Sequence, residues 1–494
     1  MRNNVSAMDP VLAPRKFGET RLDYSFLQKF FLLFGVIMVI LAPFSPDMIA
    51  LAVGGMTPWL VVKLLGTPNM PAAAAYFILW QWNQSFTRVL QGVIDGEALS
   101  RGMYGPTVEE AYWYTLASTV TLAVAFRLVL GNLRGPTREF AEAHKHWAQR
   151  DLLMLYIGGV AFATICGMAA KIVPALDQPF EAAAHFKILT MSMVFVTVMS
   201  TGQGRNFMIA VFLIEVLSGF GGLFSDFKGA FIFLAVSAFM VRIRWTGTMA
   251  VVTVALACVM VVMALWWTAV KTDFREFATA SSDSQNIKVD LGSRVGYLGN
   301  KATGDIDWNS ASYALLLRLS YVDIFGSVIG VQAVAPEPRY FGQWQDAIDH
   351  IAKPRFLFPG KAALSDTEVF IRLARGNASE AFRTGTSISV GYVAENFVDM
   401  GFPGMLVGVF VIGVMVAGIC RYFMTRKLPW MVREGTVLAI IYTIGHDGVE
   451  ISLPKILGSM YMSLGVWMIM ARWGFPYIFR YLGRNTANRG GRSR

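Results

Sequence analysis

The most regular feature of the sequence is a series of apolar runs separated by short polar segments. Runs of about 17 to 25 residues match the hydrocarbon thickness of a bilayer when they are helical. The second and eleventh runs are the weakest, because the second contains Gly54, Gly55 and Pro58 and the eleventh is short. The pattern predicts an all-α polytopic membrane protein with about twelve transmembrane helices, at 27–43, 47–66, 72–94, 109–131, 152–173, 184–203, 205–221, 226–243, 246–271, 401–423, 434–446 and 454–472.

A long polar stretch interrupts this series between the ninth and tenth runs. It divides the chain into a tail (1–26), a bundle of nine spans (27–273), a large extramembrane loop (274–400), three further spans (401–472) and a second tail (473–494). We interpret the loop as the body that carries the active site, presented by the membrane helices.

Parts of the large loop have patterns of their own. Residues 273–309 are rich in Ser, Asp, Asn and Gly, which predicts an irregular surface. Helical spacing of apolar residues predicts helices at 308–334 and 342–352. A capping box, Ser365 followed three residues later by Glu368, predicts a further helix start. The loop is therefore expected to consist of short helices on the membrane face.

Composition supports a membrane protein. Hydrophobic residues make up 55% of the 494 residues and charged residues only 15%, against about 25% charged in soluble domains. The three cysteines, Cys166, Cys258 and Cys420, all fall in apolar runs and are expected to be small buried hydrophobic residues. A disulfide framework or a cysteine zinc site in the large loop is therefore excluded. The first apolar run has spanning length and lacks a signal-peptide pattern, so no cleavage is expected.

The net charge of +10 is distributed as in a membrane protein and not as in a nucleic-acid-binding protein. The large loop has twelve Lys and Arg against fourteen Asp and Glu, so the positive excess lies in the tails and short loops. Cytoplasmic loops carry such an excess. Both termini are therefore predicted to be cytoplasmic, with the large loop in the periplasm of a bacterial inner membrane and no nucleic acid as partner.

Three features in and next to the loop carry a family resemblance. Arg318 lies in an apolar helix, KPRFLFPGK occupies 353–361, and a segment at 389–404 with a pattern of Gly, Glu, Phe and Gly leads into a span. This order resembles the Wzy-type O-antigen and exopolysaccharide repeat-unit polymerases. The resemblance implies transfer of a growing glycan from a lipid (undecaprenyl) diphosphate carrier onto the next lipid-linked oligosaccharide, without a metal or nucleotide-sugar cofactor. It leaves open whether a chain-length regulator protein is a further partner.

Basic residues of these motifs, and two that lie earlier in the chain, are candidate ligands for the carrier diphosphate. Arginine forks bind phosphate oxygens bidentately, and lysine supplies a point charge. The alternative is that they are solvated loop charges paired with nearby acids. Arg205 has a further alternative, because the predicted topology places it on the cytoplasmic side as an orientation anchor. The candidates are Arg318, Arg355, Lys361, Lys353, Lys228 and Arg205.

The candidate general base is His446, in the sequence IGHDGVE at 444–450. Its ordinary pKa lies near neutral pH, so it could deprotonate an acceptor sugar hydroxyl. Glu395 and Asp399 are rival bases, and a structural histidine is the alternative. Arg88, inside a predicted span, indicates either a functional interior or an internal ion pair.

Two other functions remain open at this stage. A polysaccharide flippase or other secondary transporter would be built from repeated halves, whereas here nine spans precede the loop and three follow it. An O-antigen ligase would share the donor and the topology, so the sequence does not separate it from a polymerase.

Overall fold

A computed structural model describes residues 25–490, except 68, 102–104, 136–146, 221–226, 242–246, 280–287, 303, 305, 354–356, 359, 362–364 and 376–387. Every regular element in the described part is helical, and it contains no strand. Eight of its helical segments are long and apolar enough to cross a membrane. This is the composition of a helical membrane protein, as the sequence predicts.

The helices are numbered in chain order. They are α1 Ser25–Leu41, α2 Met48–Leu65, α3 Ala72–Asp95, α4 Thr107–Leu130, α5 Gln149–Ile172, α6 Asp177–Ala184, α7 Phe186–Thr201, α8 Arg205–Gly219, α9 Phe227–Val241, α10 Gly247–Ala278, α11 Leu291–Ala302, α12 Trp308–Leu319, α13 Val322–Val334, α14 Gly342–Ala352, α15 Asp366–Ala374, α16 Gly391–Met424, α17 Trp430–Gly445, α18 Leu453–Ile469 and α19 Phe475–Gly490. A π-helical turn, Met470–Gly474, joins α18 to α19.

Each of the twelve predicted spans overlaps a helix, but four of them fall outside the eight membrane-length segments. Helices α8, α9 and α17 have only 15, 15 and 16 residues. Helix α3 has 24 residues but carries many polar side chains. Whether these four cross the membrane therefore stays a prediction.

Apolar side chains on the outside of the membrane-length helices match a lipid environment. Leu33 and Ile40 of α1 are more than half exposed, as are Val251 and Val254 of α10. In a bilayer such surfaces contact acyl chains and have no cost of exposure to water.

The chain forms two compact units. One contains Val198–Leu319, and its core packs Phe227, Phe231, Trp267 and Phe274 together. The other contains Lys16–Thr197 and Ser320–Arg494. The predicted loop 274–400 is divided between these two units. The units reflect which segments pack together and do not show on which side of the membrane a segment lies. The predicted domain boundaries therefore remain a prediction.

The expectation of an irregular surface at 273–309 is wrong in large part. Helix α10 continues to Ala278, and α11 occupies Leu291–Ala302. The start of α11 is capped by Asp290, whose Oδ2 accepts from the Ser293 backbone N–H at 2.9 Å and whose Oδ1 accepts from the Ser293 hydroxyl at 2.7 Å. These hydrogen bonds lower the pKa of Asp290. The polar composition that suggested a loop includes the cap of a short helix.

The other loop helices are confirmed. Helix α14 has the predicted bounds, and α15 begins at the predicted capping box, where the Ser365 hydroxyl accepts from the Glu368 N–H at 3.2 Å. The predicted helix 308–334 is present as α12 and α13, separated at Ser320 and Tyr321.

Helix α16 begins ten residues earlier than the predicted span. It is helical from Gly391, with a kink at Gly401 and Phe402, where Gly401 has φ 61° and ψ −178°. Residues 391–400, expected in the loop, are therefore the first turns of this long helix. The predicted C-terminal tail is likewise helical over α19.

Candidate functional site

Helix α3 has a buried polar face, formed by Gln81, Gln84, Arg88 and Gln91. Polar groups inside a membrane protein are costly without partners, so their contacts identify functionally or structurally important segments. The Gln84 amide nitrogen donates to the Asp447 carbonyl at 3.0 Å, and its oxygen accepts from the Val449 N–H at 2.8 Å. Helix α3 therefore fixes the turn that follows α17.

Arg88 forms an internal ion pair, one of the two alternatives predicted for it. Its Nε lies 3.2 Å from Oδ1 of Asp323, next to the start of α13. The Ser320 hydroxyl donates to the other oxygen of Asp323 at 2.9 Å. The pair joins α3 to the first turn of α13.

The start of α16 packs against the turn after α17. The Tyr321 hydroxyl donates to the Val390 carbonyl at 2.7 Å, and the Tyr392 N–H donates to the Ile451 carbonyl at 2.7 Å. Gly391 has φ +79°, and a Cβ there would collide with the Val449 carbonyl and the Tyr321 ring. Only glycine allows this close approach.

Glu395 and Asp399, one turn apart on α16, each accept hydrogen bonds at the start of another helix. Glu395 is 2% exposed and accepts from the Leu453 N–H at the start of α18. Asp399 is 4% exposed; its oxygens accept from the Gln343 and Trp344 N–H groups at 3.0 and 2.9 Å. Helix N-termini leave such N–H groups unpaired and favour negative charge. Both carboxyl groups therefore stabilise the start of a neighbouring helix.

Asp366 is a third buried carboxylate of this region, at the start of α15. It accepts from the Ser452 hydroxyl at 2.9 Å and pairs with Lys455, in the first turn of α18. We name Glu395, Asp399 and Asp366 the carboxylate junction. It joins α14, α15, α16 and α18.

A cavity of about 190 Å³, here named the basic pocket, adjoins the junction. Lys361 and Lys455 both line it, so two basic residues border one small space. The Lys455 side chain is held at Asp366 but remains 45% exposed. The remaining lining residues are Pro174, Ala175, Asp177, Gln178, Pro179, His350, Ile351, Pro454, Gly458, Tyr461 and Met462.

Lys361 is positioned by the end of α14. Its ammonium donates to the carbonyl of His350 and, at 2.9 Å, to the carbonyl of Lys353. A cation at a helix C-terminus is stabilised by the unpaired carbonyls and the helix dipole. Lys353 itself points toward Asp349, with 3.8 Å between Nζ and Oδ2.

His446 lies in an open group of side chains at the end of α17. Its ring stacks on Tyr442, Nδ1 lies 3.2 Å from the Tyr442 carbonyl, and Nε2 lies 3.4 Å from Oδ1 of Asp447. The His446 side chain is 37% exposed. Nearby, Nδ1 of His185 is 2.7 Å from the Thr443 hydroxyl. We name His446, Asp447, Tyr442 and His185 the histidine cluster.

Helix α6 lies beside both the basic pocket and the histidine cluster. Its first residues, Asp177 and Gln178, line the pocket. One turn later, Glu181 is within electrostatic range of His446, Asp447 and Lys455. The two sites are therefore neighbours, separated by about one helical turn of α6.

The remaining predicted phosphate ligands lie elsewhere or outside the described part. Arg205 starts α8 and Lys228 lies in the first turn of α9, both in the Val198–Leu319 unit. Arg318 lies in α12, and its side chain is outside the description, as is all of Arg355. Among the predicted site residues, the described contacts group Lys353, Lys361, Glu395, Asp399 and His446 in the other unit.

Lys455, Asp366 and Gln84 were not predicted as site residues from the sequence. Lys455 could have been noticed, because a lysine directly after Pro454 lies in the first turn of a helix, where a cation opposes the dipole. That position requires an acidic partner, and Asp366 supplies it. Gln84 gives no such local signal, since its partners are more than 360 positions away.

No group of three or more His, Cys, Asp or Glu in the described segments is arranged to hold a metal ion. Asp307, one of two acids in an Asp-x-Asp sequence, caps α12 by accepting from the Asn309 and Ser310 N–H groups at 3.1 and 3.0 Å. Asp305 lies outside the described residues.

Comparison with protein families gives one match. A family described as a domain of unknown function (DUF8712) matches residues 118–424, which is more than half of the chain. No match is found among the curated proteins or among the solved structures.

Proposed function

The chain belongs to the DUF8712 family, and we propose that it is a polysaccharide polymerase that joins oligosaccharide repeat units carried on a lipid diphosphate. The observation that carries the proposal is the basic pocket, where Lys361 and Lys455 border one cavity beside a membrane-length helix. The resemblance of 353–361 and 389–404 to Wzy-type polymerases supports the same substrate.

The pocket chemistry suits a departing diphosphate. A leaving diphosphate is at least dianionic, and fixed cations in a water-poor site stabilise the charge that develops on it. Lys361 is held by the end of α14 and Lys455 by Asp366, so both cations are already positioned. The cavity is smaller than the roughly 300 to 1,000 Å³ of whole-ligand pockets, so it would hold the diphosphate portion of a larger substrate. Arg355 would add to this site, as the resemblance implies.

His446 is the general base that the geometry favours. A base must reach the hydroxyl that it deprotonates, and the imidazole is partly exposed beside the pocket. Glu395 and Asp399 are buried and engaged at helix starts, which leaves them less suited to this role. In the proposed reaction His446 accepts the proton of the acceptor hydroxyl while that oxygen forms the new glycosidic bond and the carrier diphosphate leaves.

The proposed membrane topology is the one that the distribution of charged residues predicts. Twelve spans would place both termini in the cytoplasm and residues 274–400 in the periplasm of a bacterial inner membrane. The substrates would be lipid-linked oligosaccharides within that membrane, and a chain-length regulator protein could limit the product.

The test is reconstitution of the full chain in liposomes with lipid-linked repeat units. We expect a ladder of products containing several repeat units. Lys455→Gln keeps a donor for Asp366 but removes the charge, and we expect a rate lower by roughly ten- to a hundredfold, the worth of one charge-assisted hydrogen bond. Lys427→Ala, in the exposed loop before α17, is the control and should act as wild type.

Failure of the wild-type protein to extend lipid-linked units would reject the polymerase. Transfer only to a lipid A core acceptor would identify a ligase in its place. Full activity of Lys455→Gln would remove the basic pocket from the reaction.

A further inference from the structure

A second cavity lies between α5 and the end of α18, away from the basic pocket. It has a volume of about 400 Å³ and shares no lining residue with the basic pocket. Lys455 of the basic pocket and Met470 of this cavity are 15 residues apart, or about 22 Å along the helix axis. We name it the apolar pocket, and it is lined chiefly by Met154, Gly158, Phe162, Met470, Gly474 and Tyr481.

Two glycines leave the apolar pocket open. At Gly158 on α5 a Cβ would meet no atom within 4 Å, and Gly474 ends the π-helical turn between α18 and α19. Such turns insert an extra residue into a helix and are frequent at functional sites. Among the lining residues only Tyr481 carries a hydroxyl, so a water molecule would find few hydrogen-bond partners there. The lining suits a hydrocarbon chain.

The helices on both sides of the apolar pocket are long enough to cross a membrane. The segment Leu453–Leu482 has 30 residues, about 45 Å of helix against roughly 30 Å of hydrocarbon, so one of its ends reaches the membrane interface. Trp473, Tyr477 and Tyr481 recur at every fourth position and are 61%, 66% and 40% exposed. Exposed Trp and Tyr side chains are enriched at membrane interfaces. We therefore place this end of the pocket at the level of the lipid headgroups.

The sequence at this end is strongly basic. From Met470 to Arg494 it contains six arginines and no acidic residue. Arg480, next to the lining residue Tyr481, is exposed. Its guanidinium carbon lies 4.5 Å from the centre of the Tyr477 ring, and its Nε donates to the Pro476 carbonyl at 3.3 Å. Both of these partners are neutral, so they do not compensate the positive charge of Arg480.

The start of α5 adds a second basic residue at the same end. The Trp147 ring stacks on Phe479 of α19 with centres 6.5 Å apart, so the start of α5 and α19 are neighbours. Arg150 is exposed and lies one turn before Met154, which lines the pocket. The acid beside it, Asp151, is 7% exposed and lies in the first turn of α5, where the helix dipole favours it. The exposed charge of these residues is therefore positive and complements an anion.

We propose that the apolar pocket binds an anionic phospholipid of the membrane. One acyl chain occupies the cavity beside Gly158, and the phosphate lies at the surface near Arg150 and Arg480. The apolar lining places the chain, and the basic residues attract the anionic headgroup. The bound lipid fastens α19 to α5 at the membrane surface. The site is at the other end of α18 from the basic pocket and does not depend on the polymerase activity.

The experiment measures the binding of two phospholipids with the same acyl chains to the delipidated full chain in detergent, by native mass spectrometry. Dioleoylphosphatidylglycerol is anionic, and dioleoylphosphatidylcholine is zwitterionic. We expect the wild type to bind the anionic lipid about fivefold more tightly or better, which is the worth of one basic residue near an anionic headgroup.

Gly158→Leu tests the acyl chain. It fills the open space and should weaken the binding of both lipids by about tenfold, the equivalent of two methylene contacts. Leucine favours a helix more than glycine does, so the variant should fold. Gly167→Leu, also on α5, is the matched control, because a Cβ at Gly167 likewise meets no atom within 4 Å and Gly167 does not line the pocket. We expect it to bind both lipids as wild type does.

Arg480→Gln tests the headgroup. It should reduce the preference for the anionic lipid by about fivefold and leave the affinity for the zwitterionic lipid within about twofold of wild type. Lys427→Gln makes the same charge change in the exposed loop before α17 and is the control. We expect it to keep the wild-type preference.

The proposal is overturned if wild type binds both lipids equally, if Gly158→Leu binds them no more weakly than Gly167→Leu, or if Lys427→Gln loses as much preference as Arg480→Gln. If Gly158→Leu converts a dimer into monomers without changing lipid binding, the occupant is a second copy of the chain and the lipid is rejected. The expected binding pattern without glycan synthesis by the wild type would keep the lipid site and reject only the polymerase.

Discussion

The carboxylate junction and the histidine cluster lie close to the same pocket but are built in opposite ways. Glu395 and Asp399 are almost fully buried, and both accept hydrogen bonds from backbone N–H groups at helix starts. His446 is partly exposed, and its nearest carboxylate, Asp447, is 3.4 Å away and itself exposed. The carboxylates of the first region are closed off by hydrogen bonds, while the imidazole of the second is partly open to solvent.

This difference separates two uses of ionisable residues that the sequence cannot distinguish. A buried carboxylate at a helix start stabilises the fold, because it satisfies N–H groups that no backbone carbonyl can reach. An exposed imidazole with loose contacts adds little to stability but is free to exchange protons. Substitutions in the two regions should therefore affect different measurements.

The largest expected effect is on the reaction rate, from His446→Ala. Loss of the general base should lower the polymerisation rate by roughly 10²–10⁴-fold. The melting temperature should change little, because the ring is partly exposed and makes few contacts. Rate is measured as glycan extension from lipid-linked units, and stability as thermal unfolding in detergent.

His185→Ala is the matched control for that substitution. It removes the neighbouring imidazole and its contact with Thr443, so it should lower the melting temperature and change the rate by no more than a few fold. A normal rate for His446→Ala would show that His446 is not the general base.

The next effect is on stability, from Glu395→Ala. Glu395→Ala would leave the buried Leu453 N–H without its side-chain acceptor, which costs about 1–3 kcal/mol of unfolding free energy. Glu395→Gln retains an acceptor oxygen and should recover most of that stability and keep activity. If Glu395→Gln folds normally but loses activity by about a hundredfold, Glu395 is the base and the junction is catalytic.

The smallest effect concerns an exposed ion pair between Asp346 of α14 and Arg339, which precedes that helix. Arg339 donates to both oxygens of Asp346 at 2.8 Å, and these bonds lower the pKa of Asp346. Because the folded-state pKa is lowered, the stabilisation is present above the ordinary carboxyl pKa of about 3.9 and is lost as the pH falls through the lowered value. Asp346→Asn should cost about 0.2–1 kcal/mol at neutral pH, and less in acid.

Asp349→Asn, on the same helix, is the control for this pH dependence. Its partner Lys353 is 3.8 Å away and both side chains are more than half exposed, so little stability should depend on the pair. The measurement is the difference in unfolding free energy from wild type at neutral and acid pH. An Asp346→Asn effect that does not shrink in acid would contradict the ion-pair explanation.

Local patterns were sufficient to predict most elements of the fold. Apolar runs predicted helices at all twelve positions, and the Ser365 capping box predicted the start of α15. These signals are contained within a few helical turns, so sequence alone carries them. The start of α11 was missed because its cap residue, Asp290, lies in a stretch with the composition of a loop.

The candidate site was predicted less completely. Lys361 and His446 were named, and the structure places them beside the pocket and in the histidine cluster. Lys455 was not named, because its importance depends on Asp366, which is 89 positions earlier in the chain. Glu395 could be identified as ionisable in a polar segment, but its contact with the start of α18 depends on the packing of two distant helices.

The sequence by itself determined an all-helical membrane protein, the positions of most of its helices and the presence of basic residues near prolines. Those properties follow from periodicity, length and composition, which act over short distances along the chain. Only the tertiary structure decided which ionisable side chains are buried and hydrogen-bonded and which are exposed to solvent. Burial and the partners of Glu395, Asp399, Lys455 and His446 arise from segments that are far apart in sequence, and local patterns contain no information on such contacts.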